Sequence, residues 1–202
     1  MSTTAKDTGK NIIPPPAGTH RARCFAVIDL GTQQTTWNNR VIWQEKILLG
    51  WELSDEFYET EEGLKKPHIV WQRYTNSLAN NANLRADLES WRGIGFRPEE
   101  LKGFKVEKVL GKACLLTLIH KEKDGKTYAN ITAITPLPKG TPAPPELLTK
   151  TIHYQIEDGE NDTFKSLSAG LQSVIASCKE WQPGHEEEPR QSRDSEEDNI
   201  PF

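Results

Sequence analysis

Residues 112–134 read KACLLTLIHKEKDGKTYANITAI. Two β-rich runs, Lys112 to Lys121 and Lys126 to Ile134, flank Glu122-Lys-Asp-Gly125. A Gly-containing turn of that length between such runs signals a β-hairpin. Upstream the period changes. Leu84, Leu88 and Trp91 fall at i, i+4 and i+7, which predicts a helix over 77–92 with Ser77 as N-cap and Gly93 as the stop. A second short helix is expected over 98–103, opening on Pro-Glu-Glu. Further upstream, THRARCFAVIDL (19–30) and RVIWQEKILLGWEL (40–53) alternate as strands around a long polar turn, 31–39, with Gly50 as a site for a bend or bulge. Residues 55–66 read as an acidic loop and HIVWQRY (68–74) as a short strand.

The order is thus hairpin, strand, helix, hairpin. A mostly β chain of about five strands with inserted helices fits an OB-like five-stranded Greek-key barrel over residues 17–140. Five-stranded α+β sheets show much the same order. Around this body lie three further segments. Residues 1–16 read as a disordered arm ending in the stiff spacer Pro14-Pro15-Pro16. Residues 141–181 hold a Pro-rich connector and an amphipathic helix marked by Phe164, Leu167, Leu171, Val174, Ile175 and Cys178, with Asp162 as N-cap. That helix either caps the barrel or pairs two copies of the chain as a homodimer. Residues 182–202 read as a disordered acidic tail.

Charge is unevenly spread. Residues 1–140 hold 20 Lys and Arg against 16 Asp and Glu, and residues 141–202 hold 5 against 13. A mildly basic body with an acidic end suits a body that meets polyanions and a tail that does not. No run approaches the roughly 18 apolar residues of a membrane span. The start has no apolar signal region, so a cytoplasmic place is expected. Cys24, Cys114 and Cys178 are far apart and odd in number, and read as buried thiols. The five histidines are scattered, and no phosphate-loop, dinucleotide, nucleophile-elbow or zinc motif is present. No catalytic residue, cofactor or metal is expected, and the chain reads as a binding protein.

Single-strand binding needs cations along phosphates and aromatic faces under unpaired bases. Six Trp is many for a body of this size. Trp37, Trp43, Trp51 and Trp71 are interleaved with Arg21, Arg23, Arg40, Lys46 and Arg73. The second hairpin adds Tyr128 with His120, Lys121, Lys123 and Lys126. The Trp and Tyr residues are the expected stacking set and the Arg and Lys residues the expected phosphate set, with Trp91 assigned to the core. By strand parity Trp43 and Trp51 line one groove if no bulge intervenes.

The chain ends DSEEDNIPF. Disorder, acids and a terminal apolar residue make a peptide that docks by its end, with the Phe202 ring in a pocket, its carboxylate on a cation and Pro201 limiting conformations. Asp198-Asn199-Ile200-Pro201-Phe202 resembles the acidic tip of bacterial single-stranded-DNA-binding proteins, although Asn199 stands where that family usually has an acid. In that family the tip recruits replication, repair and recombination enzymes. The body, most specifically LRADLESWRG (84–93) and GKACLLTLIH with GKTYANI (111–131), is similar to a phage and prophage family of single-stranded-DNA-binding or replication-associated proteins with an OB-like core. The resemblance implies single-stranded DNA and DNA-processing enzymes as partners, in a bacterial host cell. It carries no catalytic residue, and the contact residues above are inferred from this chain alone. Two alternatives share these features: a strand-annealing recombination mediator, and a module that intercepts host repair proteins through the tip without binding DNA.

Overall fold

The computed structural model describes residues 13–181. The first twelve residues of the arm and the tip, Asp198 to Phe202, lie outside the described residues. The elements are β1 (Gly18–Trp37), β2 (Arg40–Glu59), β3 (Lys65–Thr75), α1 (Asn83–Arg92), β4 (Ala113–Lys123), β5 (Lys126–Thr135), β6 (Ile152–Tyr154), α2 (Asp162–Ser166) and α3 (Ala169–Ala176). The sheet order is β3-β2-β1-β4-β5, and all four pairings are antiparallel. β6 adds to β1 in parallel. The fold is therefore mostly antiparallel β with a few short helices.

The sheet does not close by hydrogen bonds between β3 and β5. Helix α1 links these two strands instead. The Tyr74 hydroxyl of β3 donates to Asp87 at 2.8 Å, and the Ser90 hydroxyl donates to Ile134 O of β5 at 2.7 Å. Its apolar face, Leu84, Leu88 and Trp91, enters the inner core as the spacing predicts. The helix starts at Asn83, not near Ser77. The Ser77 hydroxyl is engaged locally, accepting from the Ala79 amide, which holds 77–79 in a turn. Gly93 ends the helix in the left-handed region (φ 67°), as expected. The segment expected to be helical over 98–103 is a single 3-10 turn, Glu100–Lys102.

Both hairpins run further than their sequence bounds. β1 continues through most of the expected polar turn to Trp37, and the turn itself is Asn38-Asn39, both with positive φ (47° and 59°). Asp124-Gly125 closes β4 and β5 in the same way, with φ of 51° and 71°. Two residues with positive φ are the tight turn that matches strand twist, and Asn, Asp and Gly reach it at least cost. The acidic segment after Ser54 is also largely strand, since β2 runs on to Glu59.

Four register irregularities bend the sheet: two lie on β1, where the register to β2 slips between Cys24 and Ala26 and again between Asp29 and Gly31, one lies between β2 and β3 from Glu52 to Phe57, and one between β4 and β5 at Thr117 and Leu118. At Gly50 the expected irregularity lies in the pairing to β1, with the extra residue, Phe25, on the partner strand opposite Trp51 and Gly50. Gly50 serves close approach, because a Cβ there would stand 2.6 Å from the Trp71 ring and 2.9 Å from Phe25. Gly50→Ala is expected to cost about 1–3 kcal/mol through overpacking, read as a lower urea midpoint with an unchanged slope.

β1 is buried on both faces, from Cys24 to Ile28 without a break. Its inner face joins Trp51, Leu53, Leu116 and α1. Its outer face, Phe25, Ala26, Ile28 and Leu30, packs under Tyr154, Phe164, Leu167 and Ile175. The expected single C-terminal helix is broken at Leu167, which is extended, because Ser168 caps a new helix by accepting from the Leu171 amide. Asn161, not Asp162, caps α2. This segment covers its own sheet. The connector reaches it as a strap. Arg23 donates to the Gly111, Pro144 and Pro145 carbonyls at 2.7, 2.7 and 3.2 Å. The buried Glu52 carboxylate accepts from the Leu148 and Thr149 amides at 3.1 and 2.6 Å. The N-terminal spacer is held too: His120 Nε2 donates to Pro15 O at 2.8 Å and His20 Nε2 to Pro16 O at 2.9 Å. Among the described residues no helix is long and apolar enough to cross a membrane.

Candidate nucleic-acid interface

β3 ends where Thr75 stands opposite Lys46, so beyond that point β1 and β2 continue as a two-stranded ribbon to the Asn38-Asn39 turn. Directly opposed residues of an antiparallel pair share a face, and residues alternate along each strand. Trp37 is opposite Arg40, Leu48 opposite Arg73, and Gly50 opposite Trp71. Even-numbered positions of β2 therefore carry one stripe: Trp37 with Arg40 at the tip, then Ile42, Gln44 and Lys46, then Arg73 and Trp71 on β3. From Arg40 to Lys46 the stripe spans about 20 Å at strand rise. Five of the expected contact residues meet here.

Burial separates the four forward tryptophans. Trp37 is 68 % exposed. Trp71 is half-buried, edge-on to Phe25 with centroids 5.0 Å apart. Trp43 is 44 % exposed but on the opposite face, with Val41. Trp51 is 0 % exposed and tilted on Trp91 at 5.8 Å, so it is core and not a stacking platform. Parity does align Trp43 with Trp51, and no bulge interrupts β2 between them. The shared groove fails because that face becomes the sealed interior once β3 and β4 flank it.

Partners separate the cations. Arg21 donates to both Asp55 oxygens, at 2.8 and 2.7 Å, and this hydrogen bond holds the Asp55 carboxyl below the usual carboxylate range. Arg23 is spent on the strap carbonyls. Both guanidiniums expected to meet phosphate are thus engaged within the chain, Arg21 in an ion pair that stays partly exposed and Arg23 in carbonyl bonds. Both sit where β1 passes under the connector, a neighbour that strand pattern does not reveal. Among the described residues Arg40, Lys46 and Arg73 pair with no carboxylate. Lys46 Nζ donates only to neutral oxygens, Gln44 Oε1 at 2.9 Å and Thr75 Oγ1 at 2.8 Å. Partial burial, and then the positive field of Arg73, lower its pKa from the ordinary value. Two cations held together without a counter-charge favour an incoming anion.

The second hairpin makes a smaller group. Lys121 is opposite Tyr128 and Lys123 opposite Lys126, so the three expected lysines and the 48 % exposed ring share one face. Its tip extends past Gly18, the end of β1 opposite the ribbon. His120 points to the other face, towards Pro15.

A cavity of about 300 Å³ opens beside Val27, Ile47, Phe104 and Tyr154. It is lined by Asp29, Glu107 and Glu157, the wrong sign for phosphate. Burial first, with Glu157 adding to it, raises the Asp29 carboxyl. Among the described residues no group of three or more His, Cys, Asp or Glu is arranged to hold a metal. The three cysteines are buried and unpaired, and burial pushes the Cys24 thiol up to about 12. No protein-family model matches the chain, and no curated protein matches it.

Proposed function

We propose that this chain binds and protects single-stranded DNA during phage replication or recombination, and recruits DNA-processing enzymes through its acidic Ile-Pro-Phe tip. The observation that carries the reading is the stripe Trp37, Arg40, Lys46, Arg73 and Trp71: aromatic rings at both ends, and between them cations with no carboxylate partner. Unpaired bases stack on such rings whatever their identity, and phosphates follow the cations. The topology supports it. A strand shared between two hairpins, with a helix between the third and fourth strands, is the layout of a partly open OB-type barrel. Such barrels bind oligonucleotides on the second and third strands and on the turns that close the two hairpins. The stripe and the Tyr128 group lie on those elements. The resemblance of residues 74–93 and 101–140 to phage single-strand-binding proteins points the same way. The reading assigns no catalytic residue, cofactor or metal.

Titration with oligo-dT, followed by Trp fluorescence, tests this. Strong quenching is expected, with duplex of equal length binding more weakly. Three stripe cations predict a log–log salt slope of about −2, rising to about −4 if Lys121, Lys123 and Lys126 also reach phosphates. No quenching and no binding at low salt would remove the DNA-binding reading and leave the tip as the functional part.

A further inference from the structure

Trp43 belongs to the opposite face of the ribbon from the stripe, and one side of its ring is occupied. Lys179 Nζ lies 4.2 Å from the ring centroid. This lysine comes from just beyond α3 and is placed by a series of contacts at the ribbon root. Its own amide donates to Thr32 O at 3.2 Å. Glu180 accepts from the Thr32 amide at 2.8 Å and pairs its other oxygen with the Thr32 hydroxyl. Gln33 Nε2 donates to Val174 O at 2.9 Å. Gly31, at φ 66°, lets Cys178 pack where a Cβ would stand 2.6 Å from Sγ. Residues 174–180 are thus bound along the free edge of β1, and the Lys179 side chain points along the ribbon towards its tip. Among the described residues its ammonium has no carboxylate partner.

We infer that Trp43 and Lys179 form a second nucleotide subsite, on the face of the ribbon away from the stripe, for the same single strand. The inference rests on the proposed strand-binding function. An ammonium over an exposed ring is held more weakly than one bonded to a phosphate. When a strand arrives, the ammonium turns from the ring to a phosphate, and the ring face it leaves takes the base. One strand touching Trp37 on one face and Trp43 on the other wraps the ribbon. The strand contact then depends on a residue from the C-terminal end of the body, 136 positions after Trp43.

The test compares full-length wild type with Lys179→Ala, Lys179→Arg and Glu180→Ala, titrated with oligo-dT at several salt concentrations. Lys179→Ala is expected to weaken binding about fivefold and to reduce the salt slope by about 0.7, one single-strand phosphate contact. Lys179→Arg should restore both. Glu180→Ala loosens the anchor but leaves the cation, so its slope should match wild type. Unchanged affinity and slope for Lys179→Ala would overturn the subsite. So would Glu180→Ala reproducing both losses, since Lys179 would then act only by anchoring. If wild type itself fails to bind oligo-dT at low salt, the strand-binding function falls first and the subsite with it. That result is read before any variant is compared.

Discussion

Trp51→Ala is expected to lower the free energy of unfolding by about 3–5 kcal/mol, the range for deleting a buried Trp or Phe. For a folded body of this size that is a fall in melting temperature of about 10 °C. The ring is sealed between β1, β3 and α1, against Trp91. Among the described residues its buried indole N–H has no hydrogen-bond partner. Trp51→Phe keeps most of the packing and removes that unsatisfied donor, so it should cost far less than the alanine. The pair separates two roles for one residue. If Trp51 is core, the Phe variant melts near wild type and binds oligo-dT with wild-type affinity. A stably folded Phe variant that lost binding would place Trp51 in the contact surface and refute its assignment to the interior.

The second large effect belongs to the stripe. Trp37 stands at the ribbon tip, mostly exposed, so Trp37→Ala should leave the melting temperature within about 1 °C. It removes one stacked base, about 1–3 kcal/mol, or roughly 5–150-fold in affinity. Its salt slope should not change, because the ring carries no charge. Arg73→Ala, also at an exposed position, should do the converse, reducing the slope by about 0.7 with a smaller loss at high salt than at low. Combined, the two losses should add, since the residues lie at opposite ends of the stripe. A double variant that binds as tightly as wild type would show that the strand lies elsewhere, with the Tyr128 and lysine face of the second hairpin the next surface to alter.

How much of this was legible in the residues depends on range. Alternation and turn chemistry revealed both hairpins, the helix face at Leu84, Leu88 and Trp91, and the helix stop at Gly93. The interleaving of aromatic and basic residues brought Trp37, Arg40, Lys46, Arg73 and Trp71 forward only within a larger group that also held Trp43, Trp51, Arg21 and Arg23. What they missed was contributed by distant chain. Arg21 and Arg23 look like phosphate ligands until the connector, about 120 residues later, claims Arg23 outright and takes a bond from Arg21. Trp51 looks like a platform until its face is closed by β3 and α1. Lys179 carries no local signal, because its meaning comes from Thr32 and Trp43. Some local errors were chemical: Ser77 turned on its own backbone, and Ser168 split one expected helix into two.

Because β1 is buried on both sides, its outer face waits for partners that are made last. Phe25, Ala26, Ile28 and Leu30 leave the ribosome long before Tyr154, Phe164, Leu167 and Ile175, which cover them. At ordinary elongation rates the gap between Leu30 and Ile175 lasts on the order of 10 s. Through that time the nascent chain can pair β1 with β2 but cannot shield the apolar run CFAVI, one of its most adhesive stretches. The body can therefore complete its fold only once α3 has been made, so synthesis, and not the hairpins' own microsecond closure, sets when the outer core is sealed.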